Sequence, residues 1–287
     1  MAELRPMTLD DAEAAFAVVD AADQAAPRLP GDDYQPPSDD IRSLMLQGSA
    51  RFVERDPDGA WVAERDGQVV GIAEAVRRGP FWGLSMLFLH PSAQGQGIGR
   101  RLLEQALAYA EGAELRMIMA STDPRALRRY YLAGHEIHPA VTASGAVDRA
   151  AIPVGLPGRP GDQGDLALVE RVDAGLRGSR AEDVEFLLRT GARLEVVDGT
   201  DGSGYVVSRS GRINLLGATD ERTASVLLWR ALAGIEGKAH VSCLTAQQGW
   251  AVRVALAARL TVAPTGPLFV SGIERPPGPW IPNGWYF

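Results

Sequence analysis

Three glycines in five residues, Gly95, Gly97 and Gly99, join an apolar run (Leu84 to Leu89) that ends at His90-Pro91 to a stretch with helical spacing (Leu102, Leu103, Ala106, Leu107, Ala110). Strand, glycine turn and helix in direct succession constrain the fold more than any other segment of the chain. Glycine lets the backbone approach a ligand without a Cβ in the way. The unpaired amides of the helix start then favour an anion. Arg100 and Arg101 fall in the first helical turn, where a cation opposes the macrodipole by roughly 0.3–1 kcal/mol; a bound phosphate reverses that sign. Two phosphate loops are excluded by spacing. The glycines do not run G-x-G-x-x-G with an acid closing the next strand, since Asp123 follows Leu115–Thr122 only after polar positions, and no G-K-[ST] exists.

Around this juncture the chain reads as a meander closed by helices. Residues 3–6 form a strand, and Thr8 caps a helix with Ala12, Ala15, Phe16 and Val19 on one face. Pro27 to Ser38 is turn-rich, and Ser38 caps a second helix through Ile41, Leu44, Met45 and Phe52. Asp66-Gly67 between Ala60–Arg65 and Gln68–Val76 is a hairpin signal. Leu115–Ala120 reads as a buried strand, Pro124–Ala133 as a helix, and a strand follows Gly134; strand, helix and strand here imply a right-handed parallel crossover.

Pro153–Asp162 is a linker by composition. Beyond it the theme repeats: strand Arg212–Leu216, helix stripe Leu227, Leu228, Ala231 and Leu232, strand Ala239–Leu244, helix Trp250–Leu260, strand Pro267–Val270. The glycine loop does not recur. Gly217-Ala218-Thr219-Asp220-Glu221-Arg222 links strand to helix directly, and acids at a helix start suit the dipole and repel phosphate. The expected domains are 1–152 and 165–287, joined by 153–164.

The net charge of −7 lies in the first half, where residues 1–150 hold 15 basic against 22 acidic side chains. Nucleic acid and anionic membrane are poor partners for such a surface, and a cationic amine is a compatible one. Cys243 is the single cysteine, which excludes internal disulfides and multi-cysteine zinc sites. No apolar run is long enough to span a bilayer and Met1–Pro6 has no h-region, so a cytoplasmic location is expected.

Gln94-x-x-Gly97-x-Gly99 after a strand ending His90-Pro91 resembles the [RQ]-x-x-G-x-[GA] acyl-CoA loop of the GCN5-related N-acetyltransferase (GNAT) superfamily. The element order of the first domain matches that superfamily's β-α-α-β-β-β-α-β-α-β. The resemblance implies a mixed α/β fold with two tandem acyl-CoA N-acyltransferase-like domains, the second degenerate. It further implies that acetyl-CoA is the acyl donor, its pantetheine arm lying between splayed strands. The backbones of Leu87, Phe88 and Leu89 would bond that arm, and Gln94, Gly95, Gln96, Gly97, Ile98, Gly99 and Arg100 would hold the pyrophosphate.

Acyl transfer to an amine needs a neutral amine, a donor for the oxyanion and a proton for the departing thiolate. Asp123-x-x-Ala126-x-x-x-Tyr130-x-x-x-Gly134-His135 resembles the GNAT pattern N-x-x-A-x-x-x-Y-x-x-x-G-F. By that resemblance Tyr130 protonates the thiolate, as a phenol with a pKa near 10 can, Tyr131 packs, and Asp123 joins the cofactor-binding set. Asp123 in place of Asn also fits a cap for the helix starting at Pro124. His135, Glu136 and His138 alternate along a strand without further ligands, so no metal is expected. The strand position where some relatives carry a catalytic glutamate is Ile118 here. The base is therefore Glu74 on the third strand, where it faces either the cleft or an edge and solvent, or ordered water, or the Phe287 carboxylate on an aromatic, proline-rich tail (Arg275–Phe287) that should pack onto the body.

The resulting reading is an acetyl-CoA-dependent N-acetyltransferase for a small-molecule or peptide amine, acting by direct transfer in a ternary complex. The second domain serves as structure, making the chain a monomeric pseudo-dimer or one half of a homodimer. The alternatives are a non-catalytic acyl-CoA-binding protein and a tandem acyltransferase of the mycothiol-synthase type, in which the second domain carries catalysis.

Overall fold

A computed structural model describes residues 2–26, 34–272 and 279–285. The turn-rich segment 27–33, much of the tail and the Phe287 carboxylate lie outside them. The chain forms two compact units, Met1–Arg77 with Trp82–Gly112, and Arg78–Phe81 with Ala113–Phe287.

The first unit is built on β1 (Glu3–Pro6), α1 (Ala12–Gln24), α2 (Asp39–Arg55), β2 (Ala60–Arg65), β3 (Gln68–Arg78), β4 (Phe81–Leu89) and α3 (Ile98–Ala108). Its strands lie in the order β1-β2-β3-β4. Thr8 and Asp11 form a capping box ahead of α1, and the Ser38 hydroxyl accepts from Ile41 N–H at the start of α2. The Asp66-Gly67 turn has positive φ at both residues (53° and 76°), as a tight hairpin of matching twist requires. Of the expected apolar stripe of α2, Phe52 is buried as expected, whereas Ile41 is exposed.

The second unit contains β5 (Leu115–Met119), α4 (Pro124–Leu132), β6 (Glu136–Ala146), β7 (Arg159–Gly161), α5 (Leu166–Ala174), α6 (Ala181–Arg189), β8 (Arg193–Gly199), β9 (Gly202–Arg209), β10 (Arg212–Ala218), α7 (Glu221–Gly234), β11 (Lys238–Leu244), α8 (Gly249–Ala257), β12 (Thr261–Ser271) and β13 (Trp280–Ile281). Along the chain, β1 to β6 and β7 to β12 therefore run through the same ten-element order. The expected linker is not free of structure: Arg159–Gly161 is a strand paired with Glu195 and its neighbours in β8. Proline is tolerated there because β7 is the last strand of its sheet and Pro160 has no N–H to contribute.

The sheet of this unit runs β5-β12-β6-β11-β10-β9-β8-β7. β12, the last strand of the second repeat, sits antiparallel between β5 and β6 of the first, and β6 in turn sits between β12 and β11. The repeats thus exchange strands. A bulge between Thr265 and Leu268 accommodates the join, with Gly266 where a Cβ would run into the Ala120 carbonyl. Alternate side chains of the sheet face opposite layers. Tyr205, Val207 and Leu215 pack with Leu168, Val172, Val184 and Leu187 of α5 and α6; Val206, Ile213 and Leu216 pack with Leu227, Leu228 and Trp250 of α7 and α8.

Candidate functional site

The glycine juncture lies wholly in the first unit. β4 ends at Leu89, and His90 Nδ1 accepts from Ser92 N–H (3.3 Å) to start a short 3₁₀ turn, Pro91–Ala93. Side chains then fasten the loop. Gln94 Nε2 donates to Leu89 O (3.4 Å) and Gln96 Nε2 to Ser92 O (3.0 Å), while Arg65 donates to Gln96 Oε1 (3.2 Å) and Ser92 Oγ (3.3 Å). The glycine amides are left uncommitted by this arrangement. Gly95 and Gly97 have φ of +77° and +78°, and a Cβ at either would meet nothing within 4 Å. Gly97 caps α3, its carbonyl accepting from Arg100 and Arg101 N–H. The five successive N–H groups of Gly95 to Gly99 find no acceptor among the described residues. That is a nest of aligned donors at a helix N-terminus.

Of the two arginines there, Arg101 is spent: it donates to Ala2 O (2.7 Å) and holds the start of the chain. Arg100 is largely exposed and pairs with Glu104 at 3.6 Å. Leu87, Phe88 and Leu89 are half-buried. The Leu89 side chain, with Leu102, fills the space over Gly71, so what Leu89 has left to offer a ligand is backbone.

Glu74 stands on β3 opposite Ala60 and is fully buried, which excludes an edge or solvent position for it. Its Oε1 accepts from Ser49 Oγ of α2 at 2.8 Å, and its Oε2 has no partner among the described residues. Burial pushes the carboxyl up to about 7, against the opposing pull of the Ser49 hydrogen bond. A carboxyl poised near neutrality is suited to taking a proton.

The other proposed side chains belong to the second unit. Asp123 caps α4, accepting from Arg125 N–H (2.8 Å) and pairing with the Arg125 guanidinium (2.7 Å), which together hold its carboxyl below the usual range. Tyr130 is buried, edge-on to Phe269 of β12 (5.5 Å, 72°), and burial raises its phenol above the ordinary value. Its hydroxyl bonds no described residue. Tyr131, expected to pack, is instead 61% exposed: on the short helix α4, one step around the axis turns a side chain from β12 to solvent. His135 is buried and lowered to about 4 by desolvation, hence neutral, and Ile118 is core. No group of metal-ligating side chains exists among the described residues. Nor is any of their helices long and apolar enough to cross a membrane.

The second repeat differs at the matching places. Asp220 caps α7, its carboxylate accepting from Thr223 N–H (2.8 Å) and Thr223 Oγ1 (2.7 Å). β10 and β11 are parallel and share a single register pair, Arg212 with His240. Further along, β13 pairs with β10 at Leu216 and Gly217, and Gln248 Nε2 donates to Trp280 O (3.2 Å). Trp280 and Ile281 are fully buried, so this part of the aromatic tail does pack onto the body.

Ser49 escaped the sequence reading. A serine amid Gly48 and Ala50 reads as a helix-surface residue, and only the pairing of α2 with β3 reveals its partner. A groove of about 440 Å³ between α1 and the hairpin tip has charged walls, but Arg5 there already pairs with Asp11 and Glu64.

Residues 20–134 match the model of the Acetyltransferase (GNAT) family. An uncharacterised N-acetyltransferase of Archaeoglobus fulgidus is 38% identical over 66 residues, covering 21% of this chain and 45% of that protein, so the match spans under half of the relative's length. The fold of nearly the whole chain recurs in solved structures. A GCN5-related N-acetyltransferase from Sphaerobacter thermophilus has a TM-score of 0.60 at 18% identity, over 96% of this chain and 98% of that one. A tandem GNAT protein from the clavulanic acid biosynthesis pathway has a TM-score of 0.59 at 17% identity, over 94% and 98%.

Proposed function

We propose that this chain is a tandem member of the GNAT superfamily and transfers an acetyl group from acetyl-CoA to the amine of a small molecule or peptide, with both substrates bound together. The observation that carries the reading is the run of uncommitted amides from Gly95 to Gly99, open above Gly95 and Gly97. Such a cradle fits a pyrophosphate. The charge suits it as well, since the exposed Arg100 stands in the first turn of α3. Backbone groups of Leu87, Phe88 and Leu89 hold the pantetheine arm, and Gln94 and Gln96 keep the loop in shape. Asp123 contributes through the helix it caps.

Acetyl-CoA supplies the activated acyl group. The chain's own residues manage protons. Glu74 Oε2 accepts the proton that the amine must lose, and Tyr130 Oη supplies one to the sulfur that departs. Burial suits both roles, bringing the carboxyl to about 7 and keeping the phenol protonated at neutral pH.

The second repeat is structural in this reading and binds no CoA. Its helix start presents Asp220 where the first presents a bare glycine, and β13 lies along β10 where that strand parts from β11. The same features speak against a tandem enzyme whose second domain is catalytic. A thiol-release assay with acetyl-CoA against a panel of small amines and N-terminal peptides tests the proposal. Turnover with at least one acceptor is expected. Tight CoA binding without turnover on any of them would instead mark a binding protein.

A further inference from the structure

A serine inside a helix ordinarily points to solvent or bonds back to the carbonyl one turn earlier. Ser49 does neither. It is 6% exposed, and its hydroxyl donates across the layer from α2 to Glu74 Oε1 on β3, a residue 25 positions away. The bond is 2.8 Å long and buried at both ends. A carboxyl with one oxygen tethered has its plane fixed, and its other oxygen, Oε2, is then the one available for proton transfer. We propose that Ser49 is the positioning residue of Glu74, anchoring Oε1 so that Oε2 alone is presented as the proton acceptor. This rests on the reading of Glu74 as the base.

A hydroxyl can donate to the carboxylate at full strength, so it stabilises the ionised form. Among the described residues, burial raises the proton affinity of Glu74 and the Ser49 hydroxyl lowers it, with no contribution from a charged side chain on α2, β2 or β3. Ser49 is therefore, among the described residues, the polar contact that limits how far burial can neutralise the base. In the transfer step the proton passes from the amine nitrogen to Oε2, and the Ser49 proton stays on its own oxygen.

The test uses the full chain in four forms: wild type, Ser49→Ala, Ser49→Thr and Glu74→Gln. Carbon-13 NMR follows the Glu74 carboxyl through its titration, and thiol release gives kcat/KM against pH. In Ser49→Ala the Glu74 titration and the acid limb should both move up by about one pH unit, a roughly tenfold loss at acid pH. The loss shrinks towards alkaline pH, and Ser49→Thr, which keeps the hydroxyl, restores the wild-type profile. If Glu74→Gln abolishes turnover but Ser49→Ala leaves both the titration and the acid limb in place, Ser49 merely packs and the inference fails while the base reading stands. Full turnover in Glu74→Gln overturns the base reading, and the positioning role with it.

Discussion

Arg159 grips Asp165 with both ends of its guanidinium (2.9 and 2.6 Å), and Arg5 grips Asp11 in the same way (2.7 and 2.8 Å). In each case the acid lies six residues on and also accepts the backbone N–H three residues before it, Asp162 in one and Thr8 in the other. Each repeat thus opens with one corner, a strand residue clamped to the first turn of its helix. The corner is written in the chain as Arg-Pro-x-x-x-x-Asp, at Arg5-Pro6 and again at Arg159-Pro160.

The first corner gives a pH prediction. Arg5 lowers the Asp11 carboxyl to about 2, below its unfolded value near 3.9. A depressed acid stabilises the fold above the unfolded pKa, and that contribution fades as pH falls towards 2. Asp11→Asn should therefore be less stable than wild type at pH 5, on the order of 1 kcal/mol because Arg5 is part-exposed. The gap should shrink to a small fraction of that by pH 2. Urea midpoints for both proteins at pH 5, 3 and 2 decide the matter; a gap constant with pH would show that the ion pair is not its source.

Much of the fold was legible because local signals agree with one another. The Asp66-Gly67 turn, the Thr8 and Ser38 caps and the glycine loop each name a backbone geometry that few residues can supply. What stayed hidden depends on contacts distant in sequence. Arg159–Gly161 looks like linker because proline argues against a strand, yet an edge strand accepts it. The strand exchange leaves no local trace, since β12 has the same pattern whether it pairs within its own repeat or with β5. At the site, the glycine loop could be read residue by residue. The state of Glu74 could not, because burial and Ser49 both come from α2 packing on β3.

Gly97→Glu should abolish CoA binding in a folded protein, since it sets a carboxylate against the nest. Gly97→Ala is the control. Space above Gly97 is open, so alanine adds only the strain of a positive φ, about 1–2 kcal/mol, and should weaken binding modestly. Calorimetry on both variants measures this, and unchanged CoA affinity in Gly97→Glu would refute the loop assignment.

Tyr130→Phe keeps the edge contact with Phe269 and removes only the hydroxyl. CoA affinity should persist while turnover drops roughly 10²–10⁴-fold, the usual worth of a general acid. Tyr131→Phe, on an exposed position, should be silent. The reverse outcome in the same kinetic assay would move the acid to Tyr131.

Glu74 carries a stability cost that its neutral isostere should relieve. Its folded pKa of about 7 lies above the unfolded value near 4.3, so the fold is favoured while the group is protonated and loses stability as pH rises through 7. Glu74→Gln should match wild type at pH 4 and exceed it at pH 8.5 by up to about 4 kcal/mol, at ~1.4 kcal/mol per pH unit. Differential melting at the two pH values reads this directly. Equal stability at pH 8.5 would mean that the carboxylate finds solvation in the folded state.

A fragment ending at residue 155 retains the glycine loop, Glu74 and Tyr130, yet it lacks β12. In the whole chain β12 pairs with β5 through Leu268–Met119, Phe269–Ile118 and Val270–Met117, and with β6 through Val262–Ala143 and Ala263–Thr142. Phe269 is also the ring against Tyr130. Without it, β5 and β6 each lose a flanking strand, and apolar residues such as Met117, Ile118 and Ala143 lose their cover. Exposed strand edges beside apolar surface invite pairing between chains. The fragment should therefore aggregate or melt well below the full chain, and a separately supplied segment covering 156–287 should rescue it. Recovery would be seen as a single complex by size-exclusion chromatography, with thiol release restored. A fragment 1–155 that is monomeric, as stable as the whole and active would contradict the exchange of strands.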